Sequence, residues 1–143
     1  VADPGHWLFE GTGVGRGTSF ANLVGTEYDR VDGGGTTPRP LEIVAHSPLV
    51  CRGVRSFADS AYYTVGSGAG VFSTGTMRWV ESLVGDGAHG IPPEAARFTS
   101  RVTENVLRAF AEEAAGRRRP ASDTVEAYRP YAGDPIRDHR DLW

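Results

Sequence analysis

Residues 58–80 constrain this chain more than any other stretch. They read Ala-Asp-Ser-Ala-Tyr-Tyr-Thr-Val-Gly-Ser-Gly-Ala-Gly-Val-Phe-Ser-Thr-Gly-Thr-Met-Arg-Trp-Val. Two runs rich in β-branched and aromatic residues, 61–65 and 70–79, flank Gly66-Ser67-Gly68. That pattern predicts a β-hairpin: glycine supplies the backbone freedom of a tight turn, and the flanking side chains suit a pleated surface. The second strand is expected to reach Trp79 and to lead into a short helical piece over 80–84. The stretch is apolar enough to be core, and its small residues let backbones approach closely.

The length of 143 residues allows one domain with a real core. Nineteen glycines and nine prolines favour a strand- and loop-rich body over a helical bundle. A net charge of −3 gives no electrostatic basis for binding nucleic acid or an anionic membrane, so neither partner is expected. The single cysteine, Cys51, excludes an internal disulfide and a cysteine-based zinc site, and fits a reducing compartment. No apolar run approaches the roughly 20 residues that cross a bilayer, and no leader-like segment opens the sequence. A cytoplasmic location is the expectation.

Taken in order, the chain first shows Gly11, Gly13, Gly15 and Gly17. This resembles a phosphate loop, but Arg16 stands where a dinucleotide fingerprint needs glycine, and no Gly-Lys-Ser/Thr follows. A short strand is predicted over 25–30, with Glu27 and Asp29 on one face and Tyr28 and Arg30 on the other. Paired carboxylates can share a proton, although spacing alone favours surface ion pairing. A strand over 41–47, ended by Pro48, has apolar residues on both faces and reads as a central strand, with Leu41, Ile43 and Ala45 sharing one face. His46 reads as structural. Residues 49–60 read as a loop carrying Cys51. Pro92-Pro93-Glu94 opens the one clear helix, whose apolar stripe is Phe98, Val102, Val106 and Phe110, widened by Leu107 and stopped by Gly116. Arg117-Arg118-Arg119 then complements the helix C-terminal dipole. Beyond Pro120 the sequence turns polar, with Tyr128, Tyr131, Leu142 and Trp143 as its few core candidates.

Three blocks carry a family resemblance: 6–11 with Leu-Val-Gly-Thr-Glu-Tyr-Asp-Arg-Val at 23–31, the hairpin at 59–79, and Val-Thr-Glu-Asn-Val-Leu-Arg-Ala-Phe at 102–110. Together they resemble the C-terminal part of the N,N-dimethylformamidase large (beta) subunit family, over roughly residues 7–110. More distantly, the turn followed by Gly-x-Gly-x-Val-Phe resembles class I glutamine amidotransferase-like domains. The resemblance implies an α/β fold, the C-terminal portion of a glutamine amidotransferase-like domain, strand-rich with one long C-terminal amphipathic helix. It assigns residues 1–116 to that domain and 117–143 to a polar, partly extended tail. It further implies a hydrolase that breaks the C–N bond of a small amide at a mononuclear iron held by two tyrosines and a glutamate. Those ligands are expected upstream, with no metal ligand in this chain, so the iron implies the upstream portion of the same protein or a separate partner chain. A further family glutamate, not a ligand, matches Glu27 and implies a general acid/base or water-positioning role. An aromatic pocket wall matches Tyr62 or Tyr63, where a hydroxyl would change the pocket's polarity.

The chain is short for the family enzyme, which suggests a portion of it or one chain of a split enzyme. Two other readings stand beside this one. No constellation is complete within these residues, so the chain also reads as a non-catalytic structural or interaction module on the same fold. Trp7, Tyr128 and Trp143 beside glycine-rich loops allow a small-molecule-binding domain, although scattered aromatics are usually packing residues.

Overall fold

Two tight turns generate the sheet. The computed structural model describes residues 1–32, 35–85 and 87–128. Strand β1 (Leu41–Cys51) pairs antiparallel with β2 (Val54–Thr64), which pairs antiparallel with β3 (Gly70–Ser73). The order β1-β2-β3 makes β2 the central strand. The predicted hairpin is present: Val65 N–H donates to Ala69 O at 3.0 Å across the Gly66–Gly68 turn. Its second strand stops at Ser73, and Trp79 lies instead in helix α1 (Arg78–Val84).

Residues 49–60 are not a loop. Arg52 and Gly53 both take positive φ, 49° and 81°, which is the turn geometry that suits the right-handed twist of paired strands. Arg-Gly turns the chain here without the Asn-Gly or Asp-Gly that would advertise it. Strand β1 accordingly runs through Pro48 and is an edge strand, not the central one, so the missing N–H of proline interrupts no ladder. Its outer side is bonded by segments distant in sequence. Ala2 N–H donates to Val44 O at 2.9 Å, and Thr124 N–H donates to Leu41 O at 3.0 Å.

A β-bulge between Ile43 and Ala45 resets the faces of β1. Ile43 pairs with Ala61 but Ala45 pairs with Ser60, the next residue of β2, so Ile43 and Ala45 do not share a face. After the bulge His46 falls opposite Asp59, on the side of Ala61. One face of the sheet packs Val44 and Tyr62 against Leu8, Phe9, Leu23, Trp79, Phe98 and Val102. The other gathers Leu41, Ile43, Ala61 and Val125.

Helix α2 (Pro93–Glu112) covers the first face and has proline in its first turn, as the sequence predicts. Its buried residues are Ala95, Phe98, Thr99, Val102 and Ala109, whereas Phe110 is 39 % and Leu107 64 % exposed. A strict four-residue step advances about 400° on a helix of 3.6 residues per turn, so the stripe precesses by about 40° per step. By Phe110 it has rotated about 120° away from Phe98. Ala109 takes the core position instead.

Gly116 does not end this helix. The helix stops at Glu112, and Gly116 lies inside the short helix α3 (Ala115–Arg118). Its N–H donates to Gly68 O at 2.8 Å, and a Cβ there would come within 2.8 Å of that oxygen. Glycine is used for close approach to the hairpin turn. Arg118 pairs with Glu112 and Glu113, and Arg119 lies 4.7 Å over the Trp7 ring. Residues Val125–Tyr128 form a 3-10 turn against the second sheet face. Tyr131, Leu142 and Trp143 lie outside the described residues. The described architecture is mixed α and β with a wholly antiparallel sheet. Among the described residues no helix is long and apolar enough to cross a membrane.

Candidate functional site

The segment carrying Glu27 is not a regular strand. Only two isolated bridges occur, Gly25 with Glu27 and Tyr28 with Thr76. Thr26 has φ 61°, which breaks an extended run and is costly for a β-branched residue. The backbone of the segment is nevertheless tied down. Met77 N–H donates to Glu27 O at 3.2 Å, Asp29 N–H to Gly75 O at 3.1 Å, and Asp59 N–H to Asp29 O at 3.0 Å. Glu27 itself is exposed, and its carboxylate has no hydrogen bond or ion pair with any described residue. Next to it, Tyr28 turns inward, its hydroxyl 3.3 Å from Ser56 Oγ. Burial pushes the Tyr28 phenol up and the adjacent Cys51 thiol adds to this, against the Ser56 hydrogen bond and the Arg30 charge.

Tyr62 and Tyr63 are neighbours on β2 and point to opposite faces, as strand alternation requires. Tyr62 has zero exposure; its hydroxyl donates to Arg119 O at 2.8 Å and its ring meets Trp7 edge-on at 5.4 Å. Burial raises its pKa, the Glu42 carboxylate raises it further, and Arg119 opposes both. Tyr63 is half-buried against the second sheet face. Of the two, Tyr63 keeps surface that another molecule can touch. The structure therefore does not bring Tyr62 and Tyr63 into one pocket wall.

A cavity of about 490 Å³ opens on the first sheet face. Phe20, Leu23, Phe72, Trp79 and Phe98 wall it, and Ser47, Ser60, Thr74 and Thr76 bring hydroxyls to it. Three of those hydroxyl protons are already committed. Ser60 donates to Thr74 O at 2.7 Å, Thr74 to Thr76 O at 3.2 Å, and Thr76 to Leu23 O at 3.2 Å. Neither Glu27 nor the two tyrosines line this cavity.

On the opposite face His46 and Asp59 form a close pair, Nδ1 to Oδ1 at 2.7 Å, with the Asp59 side chain fully buried. An ionised carboxylate only accepts, so Nδ1 carries the proton. Asp59 Oδ2 accepts a second bond, from Val31 N–H at 3.0 Å. Sequence reading left Asp59 aside, yet a signal was present. An aspartate inside the run Phe57-Ala58-Asp59-Ser60-Ala61 is buried by its strand context, and buried carboxylates need partners. His6 is likewise fixed structurally. Its Nδ1 accepts from Leu8 N–H at 3.3 Å and its Nε2 donates to Glu42 at 2.9 Å.

Among the described residues no three His, Cys, Asp or Glu side chains converge as a metal-ligand group. The hydroxyls of Tyr28 and Tyr62 are engaged with Ser56 and Arg119. Either hydroxyl would have to give up that hydrogen bond to ligate iron.

A three-stranded antiparallel sheet covered by helices, with an exposed carboxylate on a braced loop, defines a mixed α/β domain. The chain belongs to the N,N-dimethylformamidase beta subunit-like, C-terminal family, whose model matches residues 1–92. That span holds the Glu27 loop and both hairpins, and it ends before α2, so the block at 102–110 lies outside it. No curated protein and no solved structure matches the chain.

Proposed function

We propose that this chain is the C-terminal segment of a metal-dependent amidohydrolase that cleaves the C–N bond of a small amide, such as an N-substituted formamide. Iron would be held by residues of an upstream portion of the protein or of a partner chain. Membership of the dimethylformamidase family carries the proposal. On this reading the segment closes a glutamine amidotransferase-like α/β domain, and its antiparallel sheet is the closing part.

The contribution of this chain is a carboxylate. Amide hydrolysis needs a base for the attacking water and an acid for the departing amine, which leaves poorly as an anion. Glu27 can serve both steps, taking the water proton and returning it to nitrogen, if it stands about 2.6–3.2 Å from the reacting groups. It forms no ion pair with the described residues, which leaves the carboxylate available for that work. Tyr63 is the better placed of the two tyrosines to contribute to a pocket wall. The whole gene product, with any subunit that co-purifies, should contain iron and release amine from N-substituted formamides.

The competing reading is a non-catalytic interaction module. It is favoured by the way His6, His46 and His89 are each paired with a carboxylate of the same chain. A gene product with neither iron nor amide hydrolysis would establish that reading and remove the first.

A further inference from the structure

The loop that carries Glu27 is held at both ends, and we propose that Arg78 and Asp59 are positioning residues for the Glu27 carboxylate. The proposal rests on the catalytic reading of Glu27 given above.

At the upstream end the Arg78 guanidinium reaches back over the loop. Its Nη1 donates to Asn22 O at 3.0 Å and its Nε to Thr26 Oγ1 at 3.4 Å. The group fills the space beside Gly25 so closely that a Cβ there would lie 2.4 Å from Cζ. The two residues that it holds, Asn22 and Thr26, both have φ 61°. Left-handed backbone at residues other than glycine costs about 1–2 kcal/mol and persists only where the surroundings over-determine it. Thr76 adds to the grip, its Oγ1 accepting from Gly25 N–H at 3.3 Å.

At the downstream end Asp59 makes both a backbone and a side-chain bond to the loop, through Asp29 O and Val31 N–H. Its carboxylate is held in turn by His46. Gly75 seals this end. It presses on the Asp59 backbone so tightly that a Cβ would come within 2.2 Å of the Asp59 carbonyl oxygen. Glu27 thus sits between two braced ends, the upstream one strained, although its own carboxylate makes no hydrogen bond or ion pair with the described residues. A fixed backbone under an exposed carboxylate is what a general acid/base needs, because about 1 Å of misplacement can cost about 100-fold in rate.

The test joins amide hydrogen exchange on the full chain with kinetics of the assembled enzyme. Asp59→Ala should speed exchange at Asp29 and Val31 while α2 keeps its protection. It should lower kcat by about 10–100-fold with KM within a few-fold. Asp59→Asn keeps a carbonyl oxygen for Val31 N–H and offers an N–H to His46 Nδ1 once the ring carries its proton on Nε2 instead, and should restore most of both readouts. Arg78→Ala should loosen Gly25 in the same way and lower kcat with little change in KM; because Arg78 is half-buried, this variant remains informative if Asp59→Ala fails to fold. Folded variants with unchanged exchange over 25–31 overturn the proposal. So does a loosened loop with unchanged kcat in an enzyme that Glu27→Gln disables. If Glu27→Gln leaves kcat intact, the catalytic reading itself has failed and the positioning role falls with it.

Discussion

Tyr62 sits where burial opposes ionisation. Its phenol is fully buried, donates to Arg119 O, and has a pKa raised above 10.0, chiefly by burial. The folded state therefore holds this proton where the unfolded chain has begun to lose it. The stabilisation is fully present below the unfolded value near 10.0 and is lost as pH rises through the higher folded value. Denaturant unfolding should show stability falling above about pH 10, and Tyr62→Phe should flatten that fall without abolishing it, because Tyr28 shifts in the same direction. At neutral pH the same variant should cost about 1 kcal/mol, the worth of one hydrogen bond. Asp59 shows a different residue-scale logic. It pairs with His46, and removing one member of a buried pair leaves a polar group without its partner.

Helix α2 and the first hairpin show which elements could be read in the sequence and which could not. The start and existence of α2 were legible because Pro92-Pro93-Glu94 and a recurring apolar stripe act locally. The residues that face the core were legible only in part, because a four-residue interval drifts around a 3.6-residue helix. Val102→Ala, at a position with zero exposure, should cost about 2–3 kcal/mol, and Phe110→Ala clearly less, as compared by chemical denaturation. The reverse order would contradict the assigned face. The Arg52-Gly53 turn went unread because its left-handed geometry is imposed by strand pairing on a residue that does not favour it. Arg52→Asn should raise the stability by a few tenths of a kcal/mol and Gly53→Ala lower it by about 1 kcal/mol, both measurable as shifts in denaturation midpoint. The bulge at Val44 was equally silent. It sets register through pairing with β2, and only that register places His46 beside Asp59.

At the scale of the molecule, family and hairpin were legible because both live in contiguous motifs within residues 1–92. The candidate site was legible only as single residues. The bracing of Glu27 depends on Arg78, Asp59 and Gly75, separated from it by 32 to 51 positions and brought close by the fold. On the proposed function the segment is a scaffold that presents one carboxylate to chemistry completed elsewhere in the protein. The most direct test is kcat for hydrolysis of an N-substituted formamide by the assembled enzyme with Glu27→Gln, alongside its iron content and unfolding midpoint. A loss of about 100- to 10,000-fold, with iron and stability unchanged, is the expected result. Full turnover in that variant would contradict the account.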